Sequence, residues 1–308
     1  MSIVKYFKET FIGTDTFLTY QKVSKEQELT LKEISQLLSE KSSLTYTGNL
    51  EEKPVFLFSA GWRSGSTLLQ RLVLSANYFM WGEPLSESGV LQSLIRPLTT
   101  IRGNYPRDEY FFSESYSSEL SQKWIANITP EYQYTLKAIE EYIYQWLAVP
   151  AKAKGCNNWG IKEVRWSADI CYILKLLYPN AKFLFLVRNP LTAYSSYNKL
   201  GKYWFDVYPN TPVNTSIKFA NLWNKLSSSF ERVSPDVGGL LLRYEDLLTS
   251  ESLNKLDKYL EHPVDRSIIK NKVGSSHTNQ HVGYIPKLDK LIISHLSKTQ
   301  MERFDYLK

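Results

Sequence analysis

Two cysteines in 308 residues, Cys156 and Cys171, are too few for a disulfide framework, and no C-x-x-C spacing offers a metal site. Cys171 falls within a helical apolar pattern, as a core residue does. No apolar stretch approaches the roughly 20 residues that span a bilayer. The opening Met1-Ser-Ile-Val-Lys-Tyr-Phe-Lys-Glu-Thr carries no long apolar segment of the signal-peptide kind. A soluble, cytoplasmic protein without a membrane span is the expectation. The net charge is +6, yet no run of Lys or Arg stands out, so a nucleic-acid partner is not called for. Surface lysines explain the excess, and a pocket for a phosphorylated ligand explains it equally well. The four histidines, His262, His277, His281 and His295, all lie beyond residue 260, which leaves the rest of the chain without an imidazole base. Internal repeats and low-complexity tracts are absent as well.

What is present is a core and a loop. A content of 43% hydrophobic and 14% aromatic residues supports one large α/β domain or one domain with a sizeable insertion. Within it, the apolar run Val55 to Phe58 feeds Gly61-Trp62-Arg63-Ser64-Gly65-Ser66-Thr67, and a helical pattern with Leu68, Leu69, Leu72 and Val73 on one face follows. Strand, glycine loop and helix N-terminus converge backbone N–H groups and the helix dipole on an anion. A loop for ATP or GTP reads G-x-x-x-x-G-K-[ST], with the Lys on the β- and γ-phosphates. Aligned on Gly65, this chain has Ala60 for the first Gly and Ser66 for the Lys, and its cation is Arg63 instead. Such a loop grips one phosphate without clamping a triphosphate.

Periodicity and capping residues predict the elements around it. A short helix covers Thr30 to Lys41, the first strand Val55–Ser59, and its helix Ser66 to Ala76. A second helix runs from Pro130 to Ala148 with Thr129 as N-cap. Trp159 to Lys162 reads as a short strand, followed by a helix capped by Ser167. Lys182–Val187 is a continuous apolar strand of the buried parallel kind. Helices begin near Pro190 and after Thr215, a strand covers Gly239 to Tyr244, and Asp246 opens the next helix. A last helix has Leu288, Leu291, Ile292 and Leu296 as its apolar face. Strand–helix alternation of this kind makes an α/β fold with a parallel β-sheet flanked by helices, interrupted after the first unit by a helical insertion.

Arg188-Asn189-Pro190 follows the buried strand directly, and Ser196 lies eight residues after Arg188. Ligands of open α/β sheets bind beyond the carboxyl ends of strands, and a guanidinium pairs bidentately with phosphate oxygens. Taken alone, such an arginine is as readily a surface residue paired with a carboxylate. Joined to the first loop, it describes a nucleotide with phosphates at two separated positions.

These segments together resemble the sulfotransferases that use 3′-phosphoadenosine 5′-phosphosulfate (PAPS). Gly61-Trp-Arg-Ser-Gly-Ser-Thr-Leu-Leu is similar to their 5′-phosphosulfate loop. Phe183-Leu-Phe-Leu-Val-Arg-Asn-Pro-Leu-Thr-Ala-Tyr-Ser-Ser resembles their 3′-phosphate motif, with the same Arg-to-Ser spacing. Leu241-Leu-Arg-Tyr-Glu-Asp-Leu-Leu resembles a later strand–helix junction. The resemblance covers residues 54 to about 250 and implies a P-loop NTPase-like fold. It implies that the 64–68 backbone (Ser64, Gly65, Ser66, Thr67, Leu68) and the Ser66 and Thr67 hydroxyls hold the 5′-phosphate. Arg63 is then near the sulfonate and the bridging oxygen, and Arg188 and Ser196 take the 3′-phosphate. Tyr244 matches a cofactor-contacting tyrosine of some members, and also reads as a core residue at a strand end. Trp62 stands where the family usually has Pro.

Glu83, in Trp81-Gly82-Glu83-Pro84, lies 20 residues after Arg63. The region resembles the tyrosylprotein sulfotransferases, whose catalytic Glu follows a Gly at nearly that distance, so Glu83 is the expected base; a helix-neutralising carboxylate is the plainer reading. Lys162 matches the catalytic Lys of the same relatives, with pairing to Glu163 or Glu83 as its plainer reading, and Arg165 is placed to share its role. Ser275, Ser276 and Lys287 belong to a segment loosely similar to the family's cofactor-covering loop. His277 and His281 lack the third ligand of a metal site. The resemblance implies one domain over residues 1–308, with a core of 54–76 and 156–260. An acceptor-side insertion occupies 77–155, and a covering loop and helix 270–308. It implies PAPS as co-substrate, PAP as product, no metal, and a small-molecule acceptor. The aromatic residues of the insertion suit a ring or sugar face, and its acidic residues tolerate a cationic acceptor. The oligomeric state cannot be read. A P-loop kinase and a non-catalytic nucleotide-binding protein are the rival expectations.

Overall fold

The computed structural model describes residues 28–42, 45–83, 89–112, 125–198, 213–270 and 284–307. In chain order its elements are α1 (Leu31–Ser42), β1 (Val55–Ser59), α2 (Ser66–Ser75), β2 (Tyr78–Trp81), α3 (Val90–Ile95), α4 (Tyr132–Ile143) and α5 (Val149–Lys152). Then come β3 (Asn158–Glu163), α6 (Cys171–Leu177), β4 (Lys182–Val187), α7 (Pro190–Asn198), α8 (Ser216–Val237), β5 (Leu240–Arg243), α9 (Ser250–Leu260), α10 (Lys287–Leu296) and α11 (Lys298–Arg303). They fall into two compact units, the described residues of Met1–Tyr46 with Leu91–Ala138, and those of Thr47–Val90 with Ile139–Lys308.

The smaller unit contains α1, whose start is a reciprocal cap. The Glu33 amide donates to Thr30 Oγ1 at 3.3 Å, and the Thr30 amide donates to Glu33 Oε2 at 2.8 Å. The expected cap at Thr129 is not there. Phe112 N–H donates to the Thr129 carbonyl at 3.0 Å and Thr129 N–H donates to Tyr110 at 2.9 Å. Residue 129 is therefore spent on a parallel bridge to Phe111, and the helix begins at Tyr132 instead. It also outlasts its expected end, passing through a π-helical turn at Tyr144–Ala148 into α5.

The larger unit holds a five-stranded sheet in the order β2-β3-β1-β4-β5, parallel throughout. Four of these strands are expected from the sequence pattern. The fifth, β2, is the edge strand Tyr78–Trp81, too short to show a period and placed at the start of the presumed insertion. β1 is central and buried along its length. Period-two alternation gives its faces different chemistry. Val55 and Leu57 face an aliphatic layer with Leu69, Leu72 and Val73 of α2 and Leu253, Leu256 and Leu260 of α9. Phe56 and Phe58 face an aromatic one: Phe56 stacks on Phe183 at 5.6 Å, and Phe58 lies 5.6 Å from Phe185, which in turn meets Phe230 of α8 at 5.2 Å. A Cβ on Gly160 would lie 2.4 Å from both Met80 Sδ and the Val55 carbonyl, so β3 needs glycine to sit between its neighbours.

Three further expectations change in detail. Ser167 stands at the N-cap of the 3-10 turn Ala168–Ile170 that leads into α6 but makes no side-chain cap bond; its hydroxyl donates to Asp169 at 2.6 Å, and the Ala168 amide is taken by Ser229 Oγ at 3.0 Å. Asp246 lies in a turn, ion-paired to Arg243 at 3.0 Å, and α9 starts four residues later behind Thr249, which accepts from Ser252 N–H at 3.2 Å. On α10 the inward stripe is Asp289, Ile293 and then Ser297, whereas Leu288 and Leu291 are each 66% exposed. Asp289 accepts from the Tyr194 hydroxyl at 3.0 Å, on the same face as the buried Ile293. By contrast Thr215 caps α8 as expected, accepting from Lys218 N–H at 3.2 Å.

Candidate active site

Parallel strands end on one side of the sheet, and every strand delivers a candidate residue there. β1 runs into the glycine loop, β2 leads to Glu83, β3 carries Lys162 and Glu163 and continues to Arg165, β4 is followed by Arg188, and β5 by Tyr244. The loop entrance is pinned between neighbours: Ala60 N–H donates to Leu186 at 2.9 Å and Gly61 N–H to Val164 at 3.1 Å. Three residues of the loop have left-handed backbone, Gly61 (φ 83°), Arg63 (φ 62°) and Gly65 (φ 93°). For Arg63 that conformation costs about 1 kcal/mol or more, and buried hydroxyls hold it. Ser64 Oγ donates to the Gly61 carbonyl at 2.8 Å and is hydrogen-bonded to Ser59 Oγ at the end of β1. The Ser64 hydroxyl therefore stitches the loop and faces inward. Gly65 precedes α2 without a side-chain cap, so the first amides of the helix supply the donors an anion takes. A Cβ at Gly65 would lie 2.1 Å from the Tyr244 ring, which packs directly on the loop.

On the β4–β5 side the structure gathers Arg63, Arg188, Ser196 and Tyr244. Arg188 donates through Nη1 to the Arg63 carbonyl at 2.8 Å and through Nε to Thr192 Oγ1 at 3.1 Å, and its guanidinium lies 4.3 Å from the Tyr244 ring centroid. Arg63 Nε donates to Ser196 Oγ at 3.0 Å. Burial, and then the neighbouring Arg188 charge, lower the Arg63 pKa from its ordinary value. Among the described residues, no carboxylate lies within ion-pair distance of either arginine.

On the β2–β3 side the structure gathers a different set. Lys162 Nζ donates to Glu83 Oε1 at 2.6 Å and Arg165 Nη2 to Glu83 Oε2 at 3.0 Å. Arg165 Nε also donates to Glu163 Oε1 at 3.1 Å, an oxygen that accepts from Val164 N–H as well. The chain of alternating charges Lys162, Glu83, Arg165, Glu163 is neutral in sum. The side chains of Lys162, Arg165 and Glu163 are buried, while Glu83 keeps 25% exposure. Burial raises the Glu163 carboxyl above the usual range, with Arg165 opposing. The Arg165 guanidinium lies over the Trp62 ring at 5.9 Å, and Trp62 stacks on Tyr197 at 6.5 Å and 17°.

Glu83 and Lys162 are thus brought together, whereas Arg63 reaches toward Ser196 rather than toward them. Lys287 lies at the first turn of α10. Ser275, Ser276, His277 and His281 lie outside the described residues. From sequence, Glu163 enters only as an alternative partner of Lys162, Trp62 only as a departure from the family pattern that could shape the loop or line the acceptor pocket, and Arg165 only as sharing the role of Lys162; the i, i+2 spacing of Glu163 and Arg165 at a strand end is the signal that marks that pair. No cluster of three or more His, Cys, Asp or Glu suited to a metal occurs among the described residues, and no helix among them is long and apolar enough to cross a membrane.

Comparison with known proteins gives these arrangements a context. A family model described as the sulfotransferase family matches residues 54–264. Among solved structures, the sulfotransferase domain of the Synechococcus PCC 7002 olefin synthase is similar at 18% identity, over 82% of this chain and 96% of that one, with a TM-score of 0.45. Sulfotransferase STF9 from Mycobacterium avium is similar at 11% identity, over 88% and 81%, with a TM-score of 0.44. Mouse sulfotransferase SULT7A1, complexed with PAP, is similar at 13% identity, over 87% and 89%, with a TM-score of 0.38. No curated protein sequence matches the chain.

Proposed function

The chain belongs to the sulfotransferase family, and on that footing we propose that it moves a sulfonate group from PAPS to a hydroxyl or nitrogen of a small-molecule acceptor. The observation that carries the reading is the pair Arg63 and Arg188. Two guanidiniums lie beside one glycine loop, and neither is paired with a carboxylate among the described residues. Like charges held together at a sheet's carboxyl end are stabilised by an anion between or beside them. PAPS supplies anions at two separated positions. Its 5′-phosphate suits the 64–68 amides with the Ser66 and Thr67 hydroxyls, and its 3′-phosphate suits Arg188 and Ser196 with Tyr244 alongside. Ser66 in place of the phosphate-loop lysine disfavours a triphosphate.

In the transfer, the acceptor heteroatom attacks sulfur in line. A bond from that atom to sulfur forms as the bond between sulfur and the bridging oxygen breaks. The electron pair stays with the 5′-phosphate of PAP, and the acceptor's proton goes to Glu83. In-line placement and neutralised charge are what such a transfer demands. The ion pairs of Glu83 then acquire a use. When Glu83 takes the proton its charge disappears, and the Lys162 ammonium loses its partner as negative charge grows on the leaving phosphate. Proton uptake and leaving-group stabilisation are coupled through one salt bridge. Arg63 adds charge at the sulfonate and bridging oxygen.

Calorimetric titration with PAP, 5′-AMP, ADP and ATP tests the reading. PAP is expected to bind at least about tenfold more tightly than 5′-AMP, with most of that advantage lost in Arg188→Ala. Equal binding of ATP and PAP would favour a kinase and sink the proposal.

A further inference from the structure

The Arg188–Asn189 peptide is held from two sides. Trp223 Nε1, on α8, donates to the Arg188 carbonyl at 3.0 Å. Glu245, one residue after Tyr244, accepts from the Asn189 amide through Oε1 at 3.0 Å, and its Oε2 accepts from the Tyr306 hydroxyl at 2.9 Å. Tyr306 is itself fixed. Its amide donates to Met301 at 2.8 Å, the Arg243 guanidinium lies 5.1 Å from its ring centroid, and the ring meets Phe304 and Trp223 at 6.2 and 6.5 Å. Burial, and after it the Glu245 charge, push the Tyr306 phenol far above its ordinary value, so the hydroxyl keeps the proton it donates.

Resting on the PAPS reading, we propose that Glu245 and Tyr306 are positioning residues for the 3′-phosphate: they lock the Asn189 amide, and with it the backbone from which Arg188 projects. Bidentate recognition by a guanidinium fails when its base shifts by a fraction of an ångström, because both N–H vectors must meet phosphate oxygens at once. A carboxylate bonded to a backbone N–H on one side and a phenol on the other removes that freedom. The segment after α11 thereby serves the cofactor side of the sheet.

The test is the ratio of PAP to 5′-AMP affinity, since only PAP carries the 3′-phosphate and a loss of general stability moves both ligands alike. Glu245→Ala is expected to weaken PAP about tenfold and 5′-AMP less than about twofold. Glu245→Gln, whose amide accepts from Asn189 and donates to Tyr306, is expected to restore PAP binding to within about threefold of wild type. Tyr306→Phe keeps the ring packing and is expected to weaken PAP about threefold with 5′-AMP unchanged. Equal loss for both ligands, or an unchanged ratio in variants that melt as wild type does, overturns the assignment. Wild-type protein that binds PAP no better than 5′-AMP overturns the cofactor reading first, and this one with it.

Discussion

Each end of the larger unit's sheet carries a carboxylate bonded to a lysine, and the two carboxylates differ in their surroundings. At the amino end, Glu52 is 6% exposed; its Oε1 is ion-paired to Lys152, and its Oε2 accepts from the indole of Trp159 at 2.7 Å. Lys152 donates to the Tyr144 hydroxyl at 3.3 Å as well. Every charge in that group has its opposite, and the partners are strand and helix residues packed in place. At the carboxyl end Glu83 follows an edge strand, is partly exposed, and shares one of its two cations, Arg165, with a second carboxylate. On the β4–β5 side of the same end lie two arginines with no carboxylate of their own among the described residues. A buried salt bridge is therefore not what marks a site. What marks it is charge left over after the bridges are counted, placed where a loop and a helix N-terminus converge.

The sharpest way to break this comparison is to neutralise each carboxylate in turn. Glu83→Gln is expected to lower sulfonate transfer by about 10³-fold, within the range for loss of a general base. PAP affinity should stay within about twofold of wild type, since the proposed nucleotide contacts lie on the glycine loop and the β4–β5 side. Product formation under saturating PAPS, paired with PAP titration, checks both halves. A collapse of PAP binding would show that Glu83 holds the nucleotide site together rather than serving the transfer.

Glu52→Ala should give the opposite profile. Removing it leaves the Trp159 indole without its acceptor and a partly buried ammonium without its counter-charge, a loss of about 2–3 kcal/mol. Chemical denaturation is the measurement, and turnover per folded molecule at low temperature should match wild type. Lowered turnover in fully folded protein would mean that the two ends communicate through β3, which links Trp159 to Lys162.

How much of this was legible follows from local and non-local physics. β1, β4, the cap of α8 and the glycine loop are written in runs and caps a few residues long, and they fall where expected. Motif and spacing single out Glu83, Lys162, Arg188 and Tyr244, and all lie at or just beyond the strands' carboxyl ends. The edge strand β2 escaped because four residues carry no usable period. The exposed face of α10 escaped because Asp289, a charged residue, turns inward to meet Tyr194, against the hydrophobic pattern. Glu245 and Tyr306 act through partners far along the chain, and no local pattern announces such pairings.

Glu163 also offers the finest test of the comparison, through pH. Its folded-state carboxyl is raised by burial, with the Glu83 charge adding to the rise and Arg165 and the Val164 amide opposing it. A raised folded pKa means that the folded protein holds this proton more tightly than the unfolded chain does. The resulting stability is present below the unfolded carboxylate value, about 4.3, and is lost as pH climbs through the raised folded value. Glu163→Gln cannot lose a proton. Its stability relative to wild type should therefore rise with pH across that window and level off above it, whatever constant offset the lost Arg165 pairing adds. Urea unfolding of both proteins from pH 4 to pH 7 reads the slope. Glu52→Gln, treated identically, serves as the control from the other end of the sheet. A relative stability for Glu163→Gln that falls across the window would mean that Arg165 outweighs burial. The alternating chain that holds Glu83 would then be a stabilising bridge like the one at Glu52, and the two ends would differ only in their unpaired arginines.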